Sequence, residues 1–145
     1  MSSMPSILTF HRAARPAAAL MLAFGALAAW PAHAQDAVPA MQSQGSGRFV
    51  CGGIGSDESG AMRAAMKQHP LSLLFARPDG GYLADVDVAV KDSSGAAVMT
   101  WRANGPVCLL DIPAGSYGVQ ATSNGVTKTQ NATVGGAPKT LDFRF

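Results

Sequence analysis

Residues 107–134 read VCLLDIPAGSYGVQATSNGVTKTQNATV, and this stretch decides the fold. It contains an apolar run, a Pro-Ala-Gly turn, an alternating run and an Asn-Gly pair. Tyr117, Val119 and Ala121 alternate with polar residues, as in a strand with one buried face. Asn124-Gly125 suits a type I′ hairpin turn, because both residues tolerate positive φ. The stretch therefore predicts successive strands that are joined by a corner and a tight hairpin.

The same period of two extends through the chain from Leu71 to the last residue. It predicts seven strands, at 71–77, 82–91, 96–102, 107–112, 116–123, 126–134 and 139–145. Gly-, Asn- and Ser-rich turns separate these runs at intervals of roughly 10 residues, which is typical of an antiparallel sandwich. Helical patterns are absent between the runs, which argues against a parallel sheet with crossover helices. We therefore expect an all-β, seven-stranded antiparallel β-sandwich.

One short helix is predicted before the strands, in SDESGAMRAAMKQHP, residues 56–70. Ser56 is the expected N-cap. Met62, Ala65 and Met66 share one face at helical spacing. Pro70 disfavours helical geometry in the residue before it, so the helix should end there.

The first 34 residues have the organisation of a secretory signal peptide. Arg12 and Arg15 precede an apolar stretch that ends at an Ala-His-Ala sequence, which is the order of positive region, apolar region and cleavage site. We expect cleavage after Ala34 and no membrane insertion afterwards, because the apolar run is shorter than the roughly 20 residues of a membrane span. The expected location is periplasmic or secreted.

The remaining chain is expected to comprise a flexible lead-in, 35–50, and one domain, 51–145. About 110 residues suffice for one core and not for two. Nine Lys and Arg and nine Asp and Glu follow residue 34, so the formal net charge there is zero. A neutral chain lacks the basic stripe of a nucleic-acid-binding protein, and it does not favour anionic lipid.

The quoted stretch resembles the carboxypeptidase regulatory-like domain, a transthyretin-like β-sandwich with the pattern l-P-x-G-x-Y-x-v. Residues 79–99, DGGYLADVDVAVKDSSGAAVM, are similar to the earlier part of that domain. The resemblance covers about residues 52–145 and extends to small exported bacterial proteins with one such domain. It implies a transthyretin-like or Ig-like sandwich, a fold that hosts many unrelated functions.

Cys51 and Cys108 are the two cysteines of the chain. In an oxidising compartment an even count favours a disulfide. Cys108 alternates with Leu110 and Ile112, so it is expected to point inward, and the bond would pin the N-terminal segment to the sandwich. The alternative is two separate buried thiols that behave as small apolar groups.

The segment DIPAGSY, Asp111–Tyr117, has two interpretations: the lip of a binding site, or a structural corner. Pro113 and Gly115 are expected to shape the turn, and Tyr117 lies on the inward face. A tyrosine hydroxyl near such a turn binds back to the backbone in other sandwiches. We favour the structural corner.

Met62, Met66 and His69 are the candidate metal ligands, since thioethers and imidazole suit copper. The alternative, which we favour, is that the methionines form the buried face of the helix. We therefore expect no metal and no cofactor.

Catalytic constellations are not evident in the sequence. The transthyretin-like hydrolases act on a purine-degradation product and use several histidines, an arginine and a C-terminal tyrosine motif. Here one histidine, His69, follows residue 34, and the chain ends in DFRF. We expect no catalytic residues, and a small hydrolase remains the alternative.

Tyr82, Trp101 and Arg102 are the candidate binding residues, because exposed aromatic side chains beside polar loops stack on sugars or peptides. The alternative is that Tyr82 and Trp101 cap the ends of the core. The sequence thus favours a non-catalytic exported binding or structural accessory module whose partner is a protein, peptide or glycan of the cell envelope. A soft-metal carrier is a second alternative.

Overall fold

The computed structural model describes residues 38–145, which form nine strands and one short helix. The strands are β1 (Gln42–Gln44), β2 (Gly47–Gly52), β3 (Leu71–Ala76), β4 (Val86–Lys91), β5 (Ala97–Ala103), β6 (Val107–Asp111), β7 (Gly115–Ser123), β8 (Val126–Val134) and β9 (Lys139–Arg144). Helix α1 (Ser56–Ala65) and a 3-10 turn (Met66–Gln68) connect β2 to β3. Sheet A has the order β1-β2-β6-β3-β9, and sheet B has the order β5-β4-β7-β8.

The main core lies between the two sheets. Sheet A contributes residues such as Leu73, Phe75 and Phe143, and sheet B contributes residues such as Val88 and Val119; all five are at most 3% exposed. Alternation along each strand directs these side chains inward. The predicted all-β sandwich with one short helix is confirmed.

A second apolar cluster lies on the outer face of sheet A, beneath α1. Met62 is fully buried there against Val107 and Leu109. Cys108 and Leu110, which alternate with those two residues, belong to the core between the sheets. Strand β6 is therefore buried on both faces, which explains why its sequence is a continuous apolar run.

The prediction of seven antiparallel strands is wrong in two respects. Strands β1 and β2 lie largely within 35–50, where a flexible lead-in is predicted. They form a hairpin whose Phe49 and Val50 enter the two clusters, and the Gly-rich sequence around the hairpin hides its short alternation. In addition, β9 pairs in parallel with β3, because the chain end returns to sheet A beside an earlier strand.

Two local expectations also need correction. Strand β4 begins at Val86 rather than at Tyr82, and Asp85 just before it has φ 59°, which interrupts an extended chain. The N-cap of α1 is Gly55, with φ 85°, and no side chain caps the helix. The backbone N–H of Gly53 instead donates to Glu58 Oε1 at 2.7 Å.

The expected signal peptide and its cleavage site lie outside the described residues. Within 38–145, no helix is long and apolar enough to cross a membrane. Cys51 and Cys108 form a disulfide, as predicted, and such bonds are typical of proteins that fold in oxidising compartments.

Candidate functional site

The edges of the two sheets differ in how well they are covered. Strand β5 ends sheet B on one side, and the β1–β2 hairpin covers it. The backbone N–H of Thr100 donates to Gln44 Oε1 at 2.8 Å, and Gln44 Nε2 donates back to the Thr100 carbonyl. Next to it, Ser46 N–H donates to the Val98 carbonyl at 3.3 Å. A side-chain amide thus takes the place of a neighbouring strand.

The two edges of sheet A are a very short strand and a strand that a side chain of sheet B contacts. Strand β1 has three residues, and very short edge strands resist pairing. Strand β9 ends the other side, where Gln130 Nε2 of β8 donates to the Asp142 carbonyl at 2.6 Å. A side chain of sheet B therefore satisfies a backbone acceptor on this edge.

Strand β8 is different, because it is a nine-residue edge. Within 38–145, no backbone hydrogen bond from a segment other than β7 reaches it. Edges of this kind are templates for strand addition.

The hairpin turn determines which backbone groups β8 presents. Asn124 and Gly125 have φ 48° and 77°, as in a two-residue type I′ turn. The flanking pair, Ser123 and Val126, is then a hydrogen-bonded pair, and such pairs alternate along the ladder with non-hydrogen-bonded ones. The N–H and C=O groups that point away from β7 therefore belong to Thr127, Thr129, Asn131 and Thr133.

The same four residues direct their side chains to the outer face of sheet B. Ala132 and Val134, which alternate with them, are each 4% exposed in the core. Thr127 Oγ1 lies 2.8 Å from Thr122 Oγ1 on β7, as expected where side chains of a non-hydrogen-bonded pair approach closely. The free edge thus combines open backbone groups with a row of short, uncharged polar side chains.

Two shallow troughs lie on this outer face, where β4 and β7 carry small residues. One surrounds Gly118, measures about 540 Å³ and extends to Asn131 and Thr133 of β8. The other lies over Ala89 and measures about 410 Å³, with Thr100 and Gln120 among its lining residues. The trough around Gly118 therefore adjoins the free edge, whereas the trough over Ala89 lies farther from it, over β4, β5 and β7.

The trough around Gly118 also has a distinct charge. Lys91 and Lys139 line it, and neither forms an ion pair with another residue of the described segment. Its acidic residue, Asp92, is held by its own turn: the Ser94 hydroxyl donates to Oδ1 at 2.5 Å and keeps the pKa of that carboxyl below its ordinary value. The lysines are consequently available to a ligand.

The structure does not bring the predicted binding residues together. Trp101 points inward, stacks on Phe49 with a centroid distance of 4.8 Å, and its Nε1 lies 3.2 Å from Cys51 Sγ. Arg102 points outward on the same strand, and its Nη1 lies 3.2 Å from Asp87 Oδ1. Neighbouring residues of a strand face opposite sides, so these two side chains cannot share a site.

Tyr82 lies apart from both and is 44% exposed. The Arg63 guanidinium of α1 stands 4.9 Å from its ring centroid, which is cation–π geometry. Tyr82 therefore does not cap the core, whereas the packing of Trp101 fits that interpretation.

The residues of DIPAGSY form a corner. The Tyr117 hydroxyl donates to the Pro113 carbonyl at 2.7 Å. Gly115 is the first residue of β7, and a Cβ there would lie 3.5 Å from Tyr117 Cε2, which is ordinary contact. The corner thus depends on the tyrosine hydroxyl more than on glycine conformation.

The candidate metal ligands have structural contacts. Met62 is fully buried and Met66 packs on the same cluster beneath the helix. His69 Nδ1 lies 2.7 Å from Asp111 Oδ1. Within 38–145, no three His, Cys, Asp or Glu side chains are grouped to hold a metal ion.

Sequence reasoning missed the partner of His69. Asp111 at the end of β6 accepts from Arg48 Nη2 at 3.1 Å with Oδ2 and faces His69 with its other oxygen. This network joins β2, β6 and the start of β3 on the outer face of sheet A. Its residues are far apart in sequence, so only the pairing of β2 and β3 with β6 could have indicated it.

Comparison of the chain with protein-family models, curated proteins and solved structures finds no match.

Proposed function

We propose that this protein is a non-catalytic, exported binding module of the cell envelope, and that it recognises an extended polypeptide by strand addition to the free edge of β8. The observation that carries the proposal is the difference between the edges. Gln44 and Ser46 cover β5, Gln130 reaches β9, and β1 is short, whereas β8 keeps four residues with open backbone groups.

Strand addition suits the chemistry of this edge. Backbone hydrogen bonds supply affinity for any extended chain, and alternate side chains supply specificity. The outer face beside β8 offers hydroxyl and amide groups and the trough around Gly118 for those side chains. The disulfide and the core on the other side of sheet B keep the scaffold rigid, which lowers the entropic cost of binding.

The test is a matched pair of variants at Thr129, Thr129→Pro and Thr129→Val. Proline removes an N–H that points away from β7, and proline is tolerated at such positions of edge strands. Valine removes the hydroxyl and keeps the backbone donor. Peptides selected from a random twelve-residue display library on the wild-type protein would be titrated against both variants, with circular dichroism as the folding control.

We expect Thr129→Pro to lose at least tenfold in affinity, while Thr129→Val stays within about threefold of the wild type. Equal affinity of a selected peptide for the wild type and for folded Thr129→Pro would refute strand addition at β8. Failure of the library to yield any binder would refute it as well.

A further inference from the structure

We propose that the segment added to β8 is acidic, and that Lys128 and Lys139 bind its carboxylates. This inference rests on the proposed function, because it names the partner chemistry of the same edge. It follows from the charged residues around β8: the lysines have no ion-pair partner among the described residues, whereas the acidic residues already have partners.

Lys128 is the one charged residue of β7 and β8. It pairs in register with Ala121 of β7, so it lies on the core-side face of the edge strand, and it is exposed. Lys139, the first residue of β9, and Lys91 of β4 both line the trough around Gly118. None of the three forms an ion pair within the part of the chain that the structure describes.

The acidic groups nearby are already engaged. Asp92 accepts hydrogen bonds from the Ser94 hydroxyl and from the backbone N–H groups of Ser94 and Ala96. Asp142 forms a bidentate ion pair with Arg144, whose Nε and Nη2 donate to the two carboxylate oxygens at 2.7 and 2.8 Å. The charge left for a partner at this edge is positive.

The geometry of an added strand matches this arrangement. Its side chains alternate between the two faces of sheet B, so one set lies beside Lys128 and the other set lies beside the trough. An opposite-charge pair across neighbouring strands is stabilising, and a like-charge pair is destabilising. A second copy of this chain is a poorer occupant, because it would bring a second Lys128 and a second Lys139 into one interface, and an edge lysine discourages such pairing.

The test uses three fluorescein-labelled nine-residue peptides, in which threonine alternates with glutamate, glutamine or lysine. We expect the glutamate peptide to bind at least tenfold more tightly than the glutamine peptide at 20 mM salt. The difference should shrink at 500 mM salt, because exposed charges are screened. Lys128→Glu combined with Lys139→Glu should reverse the preference toward the lysine peptide. The control variant is Lys67→Glu, an exposed lysine of the 3-10 turn that packs beside sheet A, and it should change nothing.

The outcomes separate this inference from the proposed function. If the glutamine peptide binds as tightly as the glutamate peptide and Thr129→Pro weakens both, strand addition stands and the acidic partner is refuted. If Thr129→Pro leaves the glutamate peptide unaffected, or if none of the peptides binds, both proposals fail. If sedimentation shows a wild-type dimer that Thr129→Pro dissociates, the occupant is a second copy and the acidic partner is again refuted.

Discussion

Breaking the Cys51–Cys108 bond should destabilise the protein strongly without changing its fold. The two cysteines are directly opposed on β2 and β6, and both are at most 6% exposed. The bond closes a loop across a sequence separation of 57 residues. In the chain-entropy treatment, a loop of that length restricts the unfolded chain by about 4 kcal/mol at 25 °C. The β2–β6 pairing and the packing of Trp101 on Phe49 are independent of the bond, so the folded structure should persist.

The assay is urea unfolding of oxidised wild type, of wild type held reduced, and of the double variant Cys51→Ala/Cys108→Ala, each followed by Trp101 fluorescence and circular dichroism. We expect the reduced protein to lose about 4 kcal/mol, equivalent to a fall of roughly 15–20 °C in Tm for a domain of this size. The double variant should lose somewhat more, because it also leaves a small cavity in the core.

The reduced wild type is the matched control, since it keeps both sulfur atoms and removes the covalent link alone. Oxidised and reduced proteins whose free energies of unfolding agree within about 0.5 kcal/mol would refute the argument. Such agreement would mean that the denatured chain is already compact around this loop.

Four further predictions concern stability and the strand edges. Tyr117→Phe should lower the free energy of unfolding by about 1 kcal/mol, because it removes the hydrogen bond to the Pro113 carbonyl; an unchanged urea midpoint would contradict the role of the hydroxyl. Met62→Ala should cost about 2–5 kcal/mol, since this fully buried side chain fills the cluster between α1 and sheet A. Gln42→Ala, at an exposed residue next to Met41, is the control and should be nearly neutral in the same unfolding experiment. Gln130→Pro should destabilise the protein far more than Thr129→Pro, because the hairpin register points the Gln130 N–H toward β7; equal thermal midpoints would show that the register is wrong. Gln44→Ala should uncover the backbone of Thr100 and promote concentration-dependent association in sedimentation velocity, whereas a strictly monomeric variant would show that Gln44 does not protect this edge.

Much of the fold follows from local pattern. Alternation with period two gives all the strands from β3 to β9 to within a few residues, because each has one face in the core. The tyrosine corner and the Asn-Gly hairpin follow from residues that are close in sequence. Strand β6 differs, because its continuous apolar run reflects burial between α1 and sheet B. Strand β3 is similar, since its Leu74 packs on the cluster beneath α1.

The site was much less accessible to sequence reasoning. The pattern suggested Tyr82, Trp101 and Arg102 by residue type, yet the pleat places Trp101 and Arg102 on opposite faces. A signal for β8 was present in its alternation of Thr and Asn with other residues. Recognising it as a free edge requires the order of strands in sheet B.

The sequence by itself indicated the strands from β3 to β9, the Asn-Gly hairpin and the tyrosine corner, and it favoured the cysteine pair, because each depends on neighbouring residues or on a count. Tertiary structure alone decided which strands lie at the edges, which edge Gln44 covers, and that His69 meets Asp111. These features join residues that are far apart in the chain, and the order of strands within a sheet is set by the packing of the whole core. A strand lies at an edge when no other strand pairs with one of its two sides. The sequence of that strand carries little information about this, because it depends on where the other strands lie.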